Sequence, residues 1–305
     1  MRVLVTGGAG FIGSHLVERL LADGEEPVVF DNLATGRLSN IRTLDIEKIE
    51  GDVRSRADVR RAMRAVKGVL HAAALPSVAR SWQDPVTTLA VNAQGTAIVV
   101  EEAIAAGVER FVYSSSSSIY GDQEAERKVE TLEPRPISPY GFSKLLAEQI
   151  VLAHGASSRI GTLALRYFNV FGSRQDPDSP YSAVIPKFIT AAVAGETAVI
   201  YGDGLQSRDF TFVENVVEAN LLALRSAVSG VAVNIASGQS RTLLNLVDSI
   251  SAVAGHRLAV EHAAPREGEI LHSLADISLA GEVLGYRPLV TFTDGLHQAY
   301  DAYAN

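Results

Sequence analysis

Three groups of residues have types and spacings that can do chemistry. The first is Gly7-Gly8-Ala9-Gly10-Phe11-Ile12-Gly13, which follows a β-rich run and opens an amphipathic helical pattern. Gly7 and Gly10 permit a tight turn and close approach of backbone to a pyrophosphate. Gly13 lets the helix pack on the strand, and the helix N-terminus faces the anion. Asp31 ends the next β-rich run, where a ribose-binding carboxylate belongs. A carboxylate accepts from a 2′-hydroxyl and repels a 2′-phosphate, so NAD is favoured over NADP, with Arg37 near enough to compete. Gly51-Asp52-Val53, after the third run, either positions an adenine or simply caps a helix.

The second group is Ser138-Pro139-Tyr140-Gly141-Phe142-Ser143-Lys144. Ser138 suits a helix N-cap and Pro139 the first helical position, which puts Tyr140 and Lys144 four apart on one face. An ammonium beside a phenol favours the phenolate, as does the charge of an oxidised nicotinamide. A tyrosine that ordinarily titrates at about 10 can then act as a general base near neutral pH. The third group is the serine run 114–118, whose hydroxyls can hold a substrate oxygen. Tyrosine and lysine at helical spacing also arise by chance, and a serine run is often only a loop. Their joint occurrence downstream of a dinucleotide loop makes them specific.

These groups need a frame of alternating strands and helices. Strands are predicted at 2–6, 27–31, 46–50, 68–71, 110–114 and 161–167, separated by helices at 14–22, 56–66, 85–106 and 139–154. That alternation, with nearly unbroken apolar strands, predicts an α/β fold with a Rossmann-type doubly wound parallel sheet. After Asn169 the rhythm changes to a polar loop, 172–180, then a helix at 185–194 and a strand at 198–201. A helix at 213–227 and a strand at 231–235 read as a return to the main sheet. The tail predicts a helix at 243–253, a strand at 258–261 and two closing helices. A discontinuous division follows: a dinucleotide-binding domain of 1–168 plus about 209–236, and a smaller α/β substrate-binding region of about 169–208 plus 237–305.

Composition narrows the classes. The chain has 305 residues, 47% apolar and 20% charged, with a net charge of −8 and no cysteine. Disulfides, thiolate metal sites and a cysteine nucleophile are excluded, and no metal site is expected. Scattered basic residues on an acidic chain argue against nucleic-acid binding. No window approaches the roughly 18 apolar residues of a membrane span, and the start reads as a first strand rather than a signal peptide. A cytoplasmic protein is the expectation.

The sequence resembles the extended short-chain dehydrogenase/reductase family, and within it the UDP-hexose 4-epimerases. The residues that carry this are TGGAGFIGSHL from Thr6, DNLATG from Asp31, LHAAALPSV from Leu70, SSSSIYG from Ser115 and SPYGFSK from Ser138. LRYFNVFG from Leu165, AVIPKFI from Ala183, YGDGLQSRDF from Tyr201 and REGE from Arg266 extend it over nearly the whole chain. The resemblance implies NAD contacts at Gly7, Gly10, Phe11, Ile12, Gly13, Asp31, Asn32, Thr35, Gly36, Asp52 and Val53. It implies more at Ala72, Ala73, Ala74, Asn92, Ser114, Tyr140, Lys144, Tyr167 and Val170. Ser116, Tyr140 and Lys144 match the catalytic residues, with Ser117 and Ser118 beside them. Ser77, Ser116, Ser117, Ser118, Tyr140, Asn169, Ala183, Val184, Ile185, Lys187 and Phe188 fall around the UDP-sugar. So do Tyr201, Arg208, Phe210, Arg266, Glu269 and Ser273. The two arginines suit a diphosphate, with surface ion pairs as the plainer reading.

The implied reaction is redox without net redox. Tyr140 takes the 4-hydroxyl proton while NAD accepts hydride from C4. The 4-keto sugar then turns, and hydride returns to its other face with the cofactor still bound. A 4,6-dehydratase would want Asp-Glu where Ser117 and Ser118 stand. A decarboxylase or a reductase would use the same tyrosine and lysine, and a non-catalytic NAD-binding sensor would need neither. The small Ser273 implies room for an N-acetyl group and hence UDP-N-acetylglucosamine as well as UDP-glucose. A UDP-glucuronate 4-epimerase would want one more cation, for which Arg174 is the candidate. The resemblance also implies a homodimer built through the helices at 85–106 and 139–154.

Overall fold

The apolar runs on either side of the glycine loop become parallel strands in a computed structural model, which describes residues 1–157, 160–177, 183–265 and 270–304. β1 (Arg2–Thr6) leads through α1 (Phe11–Ala22) to β2 (Glu26–Asp31), β3 (Glu47–Glu50), α2 (Arg56–Ala62) and β4 (Gly68–His71). Next come α3 (Val78–Gln83), α4 (Pro85–Leu89), α5 (Gly95–Ala105), β5 (Arg110–Ser116), α6 (Pro139–Ser157) and β6 (Gly161–Tyr167). β7 (Val170–Phe171), α7 (Val184–Ala194), β8 (Ala198–Tyr201), β9 (Ser207–Asp209), β10 (Thr211–Phe212) and α8 (Val213–Arg225) follow. The rest is β11 (Val231–Ile235), β12 (Ser240–Thr242), α9 (Leu243–Ala254), β13 (Val260–Ala263), α10 (Ser278–Leu284) and α11 (Phe292–Ala304).

Seven strands form one parallel sheet in the order β11-β6-β5-β4-β1-β2-β3. A parallel sheet needs crossover helices on both faces, which is why its inner strands are mostly apolar, whereas edge strand β3 is largely polar and exposed. Leu16, Val17 and Leu20 of α1 join Val216 and Leu221 of α8 against one face. Val59 of α2, Val99 and Val100 of α5, and Ala147 and Val151 of α6 cover the other. A third cluster holds α7, α9 and α11 together through Phe188, Ile189, Leu246, Ile250 and Leu296. Each buried Val, Leu, Ile or Phe among these contributes about 1.5–3 kcal/mol relative to exposure. The expected α/β fold is therefore present. Strand order turns back between β1 and β4, so their carboxyl ends open the crevice in which such sheets bind ligands.

Several elements differ from expectation, each for a local reason. The helix expected at 56–66 stops at Ala62, and Ala65 adopts a left-handed φ of 56°. The helix expected at 85–106 opens into a π turn at Ala90–Gln94, which carries the buried Asn92. Gly95 sits directly after that turn, where a Cβ would lie 2.7 Å from Val53 Cγ2. β5 runs two residues past the expected end, because Ser115 and Ser116 pair with Arg166 and Tyr167 of β6. Strands β7, β9, β10 and β12 span two or three residues, too few to show a period. Among the described residues no helix is long and apolar enough to cross a membrane.

Candidate functional site

The glycine loop lies at the crevice. Gly7 has φ of 68° and donates its N–H to Phe30 O at 2.8 Å, and Gly10 N donates to Gly7 O at 3.0 Å. A Cβ on Gly7 would sit 2.8 Å from Ala73 N, and one on Gly13 only 2.0 Å from Gly7 O. Gly10, the residue that precedes α1, brings no side-chain cap, so the first-turn N–H groups of α1 have no side-chain acceptor from that position. A glycine cradle at an uncapped helix N-terminus fits a pyrophosphate. Asp31 is oriented by Ala9 N at 3.0 Å and Leu33 N at 2.8 Å. A Cβ on Gly36 would lie 2.8 Å from the Asp31 carboxylate, so glycine there keeps that face clear. Asn32 and Thr35 are exposed beside it.

Asp52 accepts from Asn32 Nδ2 at 3.0 Å and from Arg54, whose guanidinium holds the carboxyl well below the usual carboxylate range. Val53 is buried, and Ala72, Ala73 and Ala74 line the exit from β4. Arg37 does not turn to Asp31: its Nη2 lies 2.7 Å from Asp176 Oδ2. The loop carrying Asp176 is also tied to α1, with His15 Nε2 3.1 Å from Ser173 O and Arg174 donating to Glu18 at 2.5 Å.

The serine, tyrosine and lysine converge at the end of β5. Ser138 Oγ accepts from Gly141 N at 3.1 Å and so caps α6. Gly141 passes close to the serine run, where a Cβ would be 2.8 Å from Ser118 O. Lys144 donates its Nζ to Ser114 O and lies over the Tyr113 ring at 4.6 Å. The Ser116 hydroxyl neighbours the Tyr140 phenol, whose ionisation it favours, and accepts from Ser118 N at 3.2 Å. Ser117 begins a 3-10 turn there, and the buried Ser118 Oγ lacks a partner among the described residues. Ser114 Oγ is 3.1 Å from the Tyr167 hydroxyl, which also bonds Asn220.

The electrostatics depart from the expectation in one respect. Burial pushes the Tyr140 phenol above its ordinary value, and the Ser116 hydrogen bond opposes this only in part. Burial also pushes the Lys144 ammonium down to about 7, with Glu148 opposing. In the protein alone the phenol is therefore harder to ionise, and the lysine spends its proton on a backbone carbonyl. Asn92, expected near the cofactor, has its side chain engaged by Leu75 N at 2.7 Å, Leu75 O at 3.2 Å and Ser143 Oγ at 3.0 Å. Ser143 in turn donates to Tyr140 O at 2.7 Å. Asn92 thus clamps the start of α6 to the chain beyond β4, a contact that no sequence spacing indicates.

The remaining predicted positions lie further along. Ser77 has φ of 110° and caps α3 through Arg80 N at 3.2 Å. Asn169, with φ of 28°, accepts from Thr211 N at 3.2 Å, and Val170 follows it in β7. Ala183 is the uncapped start of α7. Val184 is half-buried, Ile185 and Phe188 are buried and Lys187 is exposed. Tyr201 ends β8. Arg208 of β9 donates to Ser207 O at 2.9 Å and Leu271 O at 3.1 Å. Phe210 is core, its ring 6.1 Å from that of Phe292. Ser273 is buried and donates its N–H to Ser207 O at 3.1 Å. Arg266 and Glu269 lie outside the described residues. Asp209, inside the YGDGLQSRDF stretch but not among the predicted site positions, is buried and accepts from Ser237 N and Oγ, Gly238 N and Ala275 N, tying the Arg208 strand to the tail.

Fold and site together define a dinucleotide-binding α/β enzyme. A model of the NAD dependent epimerase/dehydratase family matches residues 3–236. The chain belongs to that family, and NAD is its cofactor. The UDP-glucose 4-epimerase of Mycolicibacterium smegmatis is 35% identical over 312 residues, covering 100% of this chain and 99% of that protein. A Thermus thermophilus UDP-glucose 4-epimerase in complex with NAD superposes with a TM-score of 0.92 at 38% identity, covering 99% of each chain. A UDP-N-acetylglucosamine 4-epimerase from Methanobrevibacter ruminantium, in complex with UDP-N-acetylmuramic acid, gives 0.95 at 36% identity, covering 99% of this chain and 97% of that one.

Proposed function

We propose that this protein is an NAD-dependent UDP-sugar 4-epimerase with Tyr140 as its base, acting on UDP-glucose/UDP-galactose and on UDP-N-acetylglucosamine/UDP-N-acetylgalactosamine. The observation that carries the reading is the meeting of Tyr140, Lys144 and the Ser114–Ser116 strand end beside the cofactor crevice. NAD supplies a hydride acceptor and then a hydride donor, so that sugar C4 passes through a ketone and can return with either configuration. Tyr140 takes the proton from O4 and later gives it back. Ser116 holds that oxygen in line with the phenol. Lys144 braces the strand end through Ser114 O and adds positive charge that favours the phenolate. Arg208, half-buried on β9, is assigned to the diphosphate. The cofactor half then comprises 1–168 with about 209–236, and the sugar-nucleotide half the remainder.

Two features bear on the sugar. Arg174, the candidate partner for a C6 carboxylate, is already paired with Glu18, which weighs against a glucuronate. Ser273 is small and adjoins Ser207 of the Arg208 strand. With no cofactor added, purified enzyme is expected to interconvert UDP-glucose with UDP-galactose and UDP-GlcNAc with UDP-GalNAc, and to leave UDP-glucuronate unchanged, as read by chromatography. Ser273→Tyr is expected to lower UDP-GlcNAc turnover about tenfold or more while sparing UDP-glucose. Equal loss on both sugars would refute the gate, and turnover confined to UDP-glucuronate would refute the substrate assignment.

We also infer a homodimer. Trp82 and Val86 are 64% and 75% exposed, and with Phe142 and Leu146 they form an apolar face across α3, α4 and α6. A patch of this kind on a soluble surface marks an interaction site. Trp82 is the only tryptophan in the chain, so its emission should be blue-shifted in the dimer and move to the red on dilution. Phe142→Glu is expected to sediment as a monomer; a parent that itself sediments as a monomer would overturn the inference.

A further inference from the structure

Glu148 lies four residues after Lys144 and eight after Tyr140, so all three share one side of α6. It is wholly buried. Its carboxylate accepts from Arg166 Nη2 at 2.7 Å and Nε at 3.1 Å, and from Ser115 Oγ at 2.6 Å. Arg166 stands opposite Ser115 in the β5–β6 register. Its Nη1 donates to the Tyr120 hydroxyl at 2.8 Å, and that hydroxyl donates to Asn234 Oδ1 at 2.7 Å. A buried ion pair is weak evidence of stabilisation, because apolar replacements often serve as well. What this pair holds gives a better reason for it. Ser115 sits between Ser114, whose carbonyl receives Lys144, and Ser116, whose hydroxyl meets Tyr140.

We propose that Glu148, braced by Arg166, is a positioning residue for the reaction: it pins Ser115, and with it both neighbouring contacts, and places a buried negative charge near the Lys144 ammonium. This rests on the reading of Tyr140 and Lys144 as the reacting pair. The groups facing Lys144 are His71 on β4, the Tyr113 ring on β5, Tyr140 and Glu148 on α6, and Arg166 on β6 behind Glu148. Burial keeps His71 neutral and pushes the Tyr113 phenol far above its ordinary range, while Glu148 is the carboxylate of the buried ion pair with Arg166. Lys144 is charged below its own titration point and neutral above it. Removing the Glu148 charge while Arg166 remains must move that point down, and with it the alkaline limb of kcat.

Glu148→Gln in the NAD-loaded enzyme keeps the shape and removes the charge. Its kcat is expected to fall about tenfold or more, and its alkaline limb to move down by about one pH unit. KM for the UDP-sugar and the bound NAD content should match the parent. Parental kcat with a parental limb would overturn the proposal, as would lower thermal stability with both unchanged. Should Glu148→Gln fail to fold, Ser115→Ala decides, since it breaks the tether and leaves both charges paired. Reduced kcat at unchanged KM and limb supports the proposal; parental kcat overturns it. Tyr140→Phe separates the two readings. Full activity in that variant defeats the base assignment itself, whereas an inactive Tyr140→Phe beside a parental Glu148→Gln defeats only the positioning role.

Discussion

Tyr140→Phe is expected to lose about 10²–10⁴-fold in kcat, the range a positioned general acid–base group contributes, while still carrying NAD and still binding UDP. The substitution removes one oxygen and keeps the ring. The contacts that build the start of α6 do not depend on that oxygen: Ser138 caps the helix, Asn92 holds Ser143, and Lys144 reaches Ser114 O. The deficit should therefore fall on kcat and leave KM and the unfolding midpoint close to the parent. Burial alone makes the Tyr140 phenol harder to ionise than a free tyrosine, and the Ser116 hydroxyl does not reverse this. Ionisation near neutral pH requires cations at the site, which Lys144 and the oxidised nicotinamide ring supply. Steady-state rates with UDP-galactose, set against NAD released by denaturation, check the prediction. A variant that epimerises at the parental rate with full NAD content would sink the assignment.

How far the sequence revealed this site follows from the range of each interaction. The glycine loop was legible because its demands are local: a turn, a close approach and a helix start within seven residues. Tyr140 and Lys144 were legible because one helical turn separates them. Glu148 and Arg166 were not, because their pairing needs α6 to lie across β5 and β6, and strand order is not written in any spacing. Arg37 misled for the same reason, being near Asp31 in sequence while its guanidinium reaches Asp176 in another loop. The resemblance implied sugar-nucleotide contacts at Phe210, and its ring packs in the third cluster against Phe292 of α11, a neighbour far away in sequence. The balance at Tyr140 was hidden because burial, the leading influence on its phenol, has no signature in residue types alone.

Gly13→Ala should abolish NAD binding with the smallest possible change in composition. The added Cβ would stand 2.0 Å from Gly7 O, 2.7 Å from Gly7 C and 2.8 Å from Gly8 Cα, all backbone atoms with no flexible end to swing aside. Gly7 has little room to retreat. Its N–H is bonded to Phe30 O, its φ is 68°, and a Cβ built on it would stand 2.8 Å from Ala73 N. Relief must come from moving α1 off β1 or from opening the loop, and either takes the helix N-terminus away from the pyrophosphate. Overpacking of this kind costs about 1–3 kcal/mol, which the domain can survive, so folded protein without cofactor is the expected product. Gly24→Ala provides the contrast: its φ is 77° but nothing lies within 4 Å of the new Cβ. It should lose about 1–2 kcal/mol to left-handed strain and keep its NAD. Absorbance of cofactor released from equal amounts of each folded protein decides the matter. Parental NAD in Gly13→Ala would mean that the dinucleotide does not lie on this loop, and the placement of Asp31, Tyr140 and Lys144 around it would fall as well.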